Sequence, residues 1–295
     1  MTRTRGLLTA LPLLLLAACA QPGTSAGSAG SAGTADPVTE SASAASAPAV
    51  LRVEKRGGFV PAQYLLGRLP LVSVYADGRV ITEGPVPAIA PGPAQPNVQV
   101  QRVTPELVQQ WITEATAAGV KTGAEFGSPN IADAPNTRVT LVTGGTTQSV
   151  EVVALSEAQP EDETLTAAQR AARKKLNAFV EKLTAYSTDS PTKVEAYRPT
   201  SVVALASTYN DPGDGLTGAD VAWPGPALPG EIMNDATGIG CVAVTGTEAT
   251  TVWDAAAEAN QRTPWVSGGK KYQITFRPML PDETDGCTTL RTSAG

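Results

Sequence analysis

Between Ala20 and Pro48 the chain is built largely from Ala, Gly, Ser, Thr and Pro, with Ser-Ala-Gly units repeating from Ser25 to Gly33. A stretch with almost no large apolar side chains cannot offset the entropy of ordering its backbone, so it is expected to stay disordered. Anything that folds must come from the residues after it. That remainder is long enough for one bilobed body or two small domains. About 29 flexible residues would span roughly 30 Å, which makes the stretch a tether.

Upstream of the tether, Arg3 and Arg5 precede an apolar run from Gly6 to Leu16 that closes in Leu16-Ala17-Ala18-Cys19. A cationic start, a short apolar core and small residues at the cut are the parts of a secretory signal. The run falls short of the roughly 20 residues needed to span a hydrocarbon core. Residues 16–19 resemble the lipobox of bacterial lipoproteins. That resemblance implies cleavage before Cys19, a diacylglyceryl group on its sulfur, and residence at the outer face of the cytoplasmic membrane. Two acyl chains hold where one binds only marginally, since each buried methylene contributes about 0.8 kcal/mol.

Loss of Arg3 and Arg5 with the signal leaves 20 basic against 28 acidic side chains, a mature net charge of about −8. An acidic chain lacks the electrostatic footprint of a nucleic-acid binder. It is also repelled by anionic headgroups, so the acyl anchor must supply the membrane affinity. Histidine is absent from the whole sequence. That removes Ser-His-Asp and Cys-His catalysis and imidazole metal ligands, and no cofactor or metal is expected. With Cys19 spent on lipid, Cys241 and Cys287 remain, and an even pair in an oxidising compartment reads as a disulfide.

Period and punctuation divide the body. Leu71 to Tyr75 and Val80 to Thr82 flank Asp77-Gly78 as a β-hairpin, and Val98 to Arg102 reads as a strand. Thr104 caps a helix with Pro105 in its first turn, an apolar face at Leu107, Val108, Trp111, Ile112 and Ala115, and a stop at Gly119. Thr137 to Thr143 and Gln148 to Leu155 form a second hairpin around Gly144-Gly145. Thr166 and Gln169 have capping-box spacing and open a helix to about Tyr186. Its Arg170, Arg173, Lys174, Lys175 and Lys182 read as a solvated face, with a lipid headgroup or an acidic partner as the other reading. Strands follow at Ser201 to Ser207, Cys241 to Thr245 and Lys271 to Arg277, with a helix from Glu248 to Asn260 capped by Thr247. The expected fold class is α+β, as two small lobes of antiparallel strands, each covered by one or two helices. The boundaries are residues 1–18 for the signal, 19–49 for the lipidated Cys and tether, 50–188 for the first lobe and 189–295 for the second.

Chemical motifs are weak. Ser190-Pro191-Thr192-Lys193 and Lys121-Thr122-Gly123 match two marks of penicillin-recognising enzymes, but in reversed order and without a Ser-Asp-Asn between them. Asn210 to Gly215 concentrates carboxylates and glycines, yet Pro212 occupies an EF-hand ligand position and no Glu closes the loop. Asp282, Glu283 and Asp285 read as an exposed acidic tail clipped down by the disulfide. Trp111 and Trp253 lie on helical apolar faces, whereas Trp223 and Trp265 sit beside prolines in loops and are the candidate contact residues. Pro91 to Pro96 recurs with one change as Pro224 to Pro229, which raises a duplication of the lobes.

Leu71-Val72-Ser73-Val74-Tyr75, Asp77-Gly78-Arg79-Val80-Ile81, the Pro91-Gly92-Pro93 loop and Arg277 to Glu283 before Cys287 resemble uncharacterised secreted lipoproteins of high-GC Gram-positive bacteria. The resemblance implies an address and no activity. The reading is of a lipid-anchored, non-catalytic binding or scaffolding module whose partner is an envelope protein or wall ligand. The alternatives are a carboxylate-dependent wall or envelope hydrolase and an envelope inhibitor or structural protein.

Overall fold

The computed structural model describes residues 48–189 and 192–294; the expected signal, Cys19 and the expected tether up to residue 47 lie outside them, while Ala49, placed by the sequence in the tether, already begins a strand. The described residues all belong to one compact unit, Glu40–Gly295. The fold is mixed α+β, with strand outweighing helix.

The first sheet takes β1 (Ala49–Arg56), β2 (Val72–Tyr75), β3 (Arg79–Glu83), β4 (Val98–Arg102), β5 (Asn136–Thr143), β6 (Thr146–Val153) and β7 (Glu195–Ala196). Their order is β6-β5-β1-β2-β3-β4-β7, antiparallel throughout. Gly78 closes the β2–β3 turn at φ +83°, and a Cβ there would stand 2.3 Å from the Val103 carbonyl oxygen, so only glycine fits. Three helices belong to this half of the sequence: α1 (Ala62–Gly67), α2 (Pro105–Ala117) and α3 (Ala167–Asp189). Thr104 accepts from the Leu107 amide at the start of α2, as its sequence predicts. The apolar faces of α2 and α3 cover Leu51, Val53, Val72 and Val74 on one face of the sheet. Trp111 and Tyr186 join the two helices edge to face, with ring centroids 4.9 Å apart.

The second sheet takes β8 (Ser201–Thr208), β9 (Val221–Ala222), β10 (Glu231–Asn234), β11 (Ile239–Thr245), β12 (Trp265–Ser267) and β13 (Lys270–Pro278) in the order β10-β11-β8-β13-β12-β9. Only β9 and β12 run parallel among its pairs. Helix α4 (Gly246–Ala257) covers one face through Ala249, Val252, Trp253 and Ala256. It starts two residues before the expected Glu248. Gly246, at φ +57°, turns the chain straight out of β11, and Thr245 takes the cap position without a side-chain bond. The other face packs on α5 (Cys287–Ala294) and on Ala62 and Leu66 of α1.

Several segments cross between the sheets. Gln63 of α1 donates to the Leu205 carbonyl at 3.2 Å and to Thr275 at 3.0 Å. The Pro-rich loop pairs with the chain after α4: Ala94 N–H donates to Ala259 O, and Gln261 N–H to Gly92 O. The two sheets are not copies. β2 sits between β1 and its hairpin partner β3, whereas β8 sits between β11 and β13, so the repeated Pro-Gly-Pro loop does not mark a duplication.

Candidate functional site

Helix α3 begins with the capping box its sequence predicts. Thr166 N–H donates to Gln169 Oε1 at 2.9 Å, and Gln169 N–H returns to Thr166 Oγ1 at 3.2 Å. The chain between β6 and this cap, residues 154–165, folds over the start of α3 and leaves a groove of about 540 Å³. Leu155, Ala158, Pro160, Leu165, Ala171 and Ala178 give it apolar walls, and Arg170, Arg173, Lys174, Asn177, Glu161 and Glu181 give it polar ones. That volume lies within the range of small-molecule sites, which are mostly apolar with a few convergent polar groups.

Arg173 is the unusual member. The sequence places it on the solvated face, but only 5% of its surface is exposed. Its hydrogen-bond partners are backbone carbonyls: Val153 O at 2.7 Å, Ala154 O at 2.6 Å and, more weakly, Phe126 O at 3.4 Å. No carboxylate is among them. Burial pushes the guanidinium below its usual pKa, and the more distant Asp162 and Glu157 offset this in part. Ala154 is held at φ +46°, a left-handed conformation that non-glycine residues avoid. The two bonds from Arg173 Nη2 fix the backbone there. Arg170 donates to the Asp162 and Leu165 carbonyls, so both arginines tie the groove wall to α3 through neutral acceptors.

A second recess, about 430 Å³, lies between α1 and the end of β3. Val60, Pro61, Tyr64, Leu69, Leu71 and Pro135 line it with Lys55, Arg68 and Glu83. Arg68 sits over the Tyr64 ring, 5.0 Å from its centroid, and donates to Gly57 O at 3.0 Å. Packed surroundings raise the Glu83 carboxyl, against the pull of Arg277, although the residue as a whole is exposed. No second carboxylate lines this recess.

The acidic run before Cys287 corrects the sequence reading. Asp282 and Glu283 are not an exposed tail; their side chains are 12% and 8% exposed, because arginines from both sheets claim them. Arg52 Nη2 donates to Asp282 Oδ1 and Oδ2 at 2.7 and 3.0 Å, and Tyr75 OH donates to Oδ1 at 2.8 Å. Arg277 grips Glu283 with both terminal nitrogens. Burial by itself would raise the Asp282 carboxyl, but Arg52 and the Tyr75 hydroxyl outweigh it and hold its pKa below the usual range. Burial and the neighbouring Asp282 charge push the Tyr75 phenol far above its usual value. The Cys241–Cys287 disulfide, with Cα atoms 6.0 Å apart, ties β11 to α5 just beyond this latch.

Trp223 and Trp265 offer no surface contact. They are 8% and 1% exposed and stack with Phe276 in the core under α4, their centroids 5.7 Å apart. Trp223 Nε1 satisfies its donor on Pro226 O, so the Pro-rich loop packs on its own half. The exposed aromatic side chains are instead Phe59 and Tyr64. Asp211 and Asp214 are used within their loop and by Arg262. Lys193 pairs with Glu195 at the surface, and Ser190 and Cys19 lie outside the described residues. Among the described residues, no three or more His, Cys, Asp or Glu gather as a metal site would require. Arg173 had a legible signal: with Leu176 and Val180 it follows the i, i+3, i+7 spacing of the buried stripe. No protein-family model, curated protein or solved structure matches this chain.

Proposed function

We propose that the protein is a lipid-anchored extracytoplasmic binding module, held by an acyl group on Cys19, whose ligand is an anionic, partly apolar component of the envelope. Two lobes, joined by the latch at Asp282 and Glu283, would form the rigid body that presents the site. The observation that carries this reading is the buried Arg173, matched only by carbonyls, in the groove between α3 and residues 154–165. A buried cation costs free energy unless an anion accompanies it, so the groove favours a ligand that brings one. Arg170 and Lys174 stand beside it to receive the anionic head, and Leu155, Ala158 and Leu165 receive the apolar part. Hexyl phosphate, with hexanol and inorganic phosphate as controls, tests both halves of the requirement. The expected outcome is saturable binding of hexyl phosphate, weakened at least tenfold by Lys174→Glu with Arg170→Glu, and weaker binding of either control. Equal binding of hexanol, or none at all, would overturn the reading.

Glu161 and Glu181 line the same groove, and they are what keeps a carboxylate-dependent hydrolase as the second reading. Degradation of wall material by the purified protein, abolished by Glu161→Gln or Glu181→Gln, would establish it over binding.

A further inference from the structure

Phe59 is 85% exposed, Tyr64 57%, Val60 38% and Leu71 36%, so four large apolar side chains stand out within thirteen residues of sequence. Val60, Tyr64 and Leu71 line one recess, and Phe59 precedes Val60 in the chain, so three of the four share one surface and the fourth adjoins it in sequence. Its shape is fixed locally. Phe59 N–H donates to Asp133 O at 3.1 Å, and Tyr64 and Leu65 N–H both donate to Pro61 O, so the side chains are held out by a bonded backbone. Contiguous exposed apolar surface marks a contact site.

From this we infer that the Phe59–Leu71 surface rests on the bilayer that carries the acyl chain, and so orients the body on the membrane. The inference relies on the Cys19 anchor for reach, while the surface itself is read from the fold. The chain's own tether is a poor occupant, because Val38 is its one large aliphatic or aromatic side chain from Ala20 to Ala47. The tether joins the body at the start of β1, and the eight residues of that strand cover roughly 25 Å before the turn to Phe59. A tether of about 30 Å, as its composition predicts, would therefore let the patch reach the lipid surface. Tethering also raises the effective lipid concentration to roughly the millimolar range, where a weak patch is sufficient. The chemistry suits an interface. Phenyl and phenol rings partition at the headgroup boundary, and Arg68, over the Tyr64 ring, places a guanidinium at phosphate level. Lys55 and Arg68 are the cations of this recess and Glu83 its one carboxylate; Lys55 pairs with Glu157.

The test introduces an indole at the patch with Phe59→Trp, and at an exposed apolar site of β10 with Ile232→Trp, in the full acylated chain. Vesicles of phosphatidylcholine and phosphatidylglycerol carry brominated acyl tails as quenchers. The four native tryptophans are all buried, so the added emission reports its own site. The indole at 59 is expected to be quenched at least about twofold more than that at 232. Equal quenching would overturn the inference, as would crosslinking from position 59 to a protein without any lipid quenching. If mass spectrometry finds Cys19 unacylated, the anchor reading fails by itself. The patch is then judged on the mature unacylated chain, where Phe59→Ser with Tyr64→Ser is expected to cut vesicle co-sedimentation about fivefold. Unchanged sedimentation of that double variant would sink it.

Discussion

Among the described residues two arginines are buried, Arg277 at 3% exposure and Arg173 at 5%, and they are treated oppositely. Arg277 meets the carboxylate of Glu283 with both terminal nitrogens, beside the Arg52–Asp282 pair and the disulfide. Arg173 meets carbonyl dipoles only, at the floor of a groove. Charge is closed at the latch and left open under α3. The latch meets charge with charge and leaves only the buried Arg277 Nε without a hydrogen-bond partner. Arg173 bonds only carbonyls, with Asp162 and Glu157 acting at longer range, so its charge is only partly offset.

Stability measurements should separate these two roles. Glu283→Ala leaves Arg277 buried without its anion and is expected to cost about 3–5 kcal/mol in chemical denaturation. Replacing Cys241 and Cys287 together with Ala opens a loop of 46 residues and should cost about 4 kcal/mol. Arg173→Met is expected to cost less, about 1–2 kcal/mol, because the carbonyl bonds it loses are offset by removal of a desolvated charge. If Arg173→Met destabilised more than Glu283→Ala, the contrast between latch and groove would be lost.

The smallest effect is the most specific to the latch. The Asp282 carboxyl is held below its unfolded value, so its contribution is fully present above the ordinary carboxyl range of about 4 and is lost as pH falls through the lower folded value. Acid titration of stability should therefore show a limb below about pH 4 that Asp282→Asn flattens. An unchanged acid limb would mean that Asp282 and Arg52 do not stabilise the folded state.

Local signals in the sequence were legible where a single residue type has one physical use. Thr104 with Pro105, Thr166 with Gln169, Gly78 in its turn and the alternation of Tyr272, Ile274 and Phe276 all act as their chemistry requires. Pairing across sequence distance was not legible. Arg52 and Asp282 lie 230 residues apart, and nothing local to either names the other, so the acidic run read as tail. Strand β1 carries no such signal, because Glu54, Lys55 and Arg56 are three charges in a row that break the alternation, and the strand starts directly after the low-complexity stretch with no turn to announce it. The proline-flanked Trp223 and Trp265 read as surface because neighbouring prolines indicate loops, but a loop can lie against its own core when its indole has a carbonyl to bond.

The groove is tested most directly by calorimetric titration of hexyl phosphate into the purified chain, run in parallel on Arg173→Met, Lys174→Glu and Asp282→Asn. The expected result is saturable binding that falls at least tenfold for the two groove variants and is unchanged for the latch variant. Binding that survives Arg173→Met and Lys174→Glu, or that disappears with Asp282→Asn alone, would contradict it.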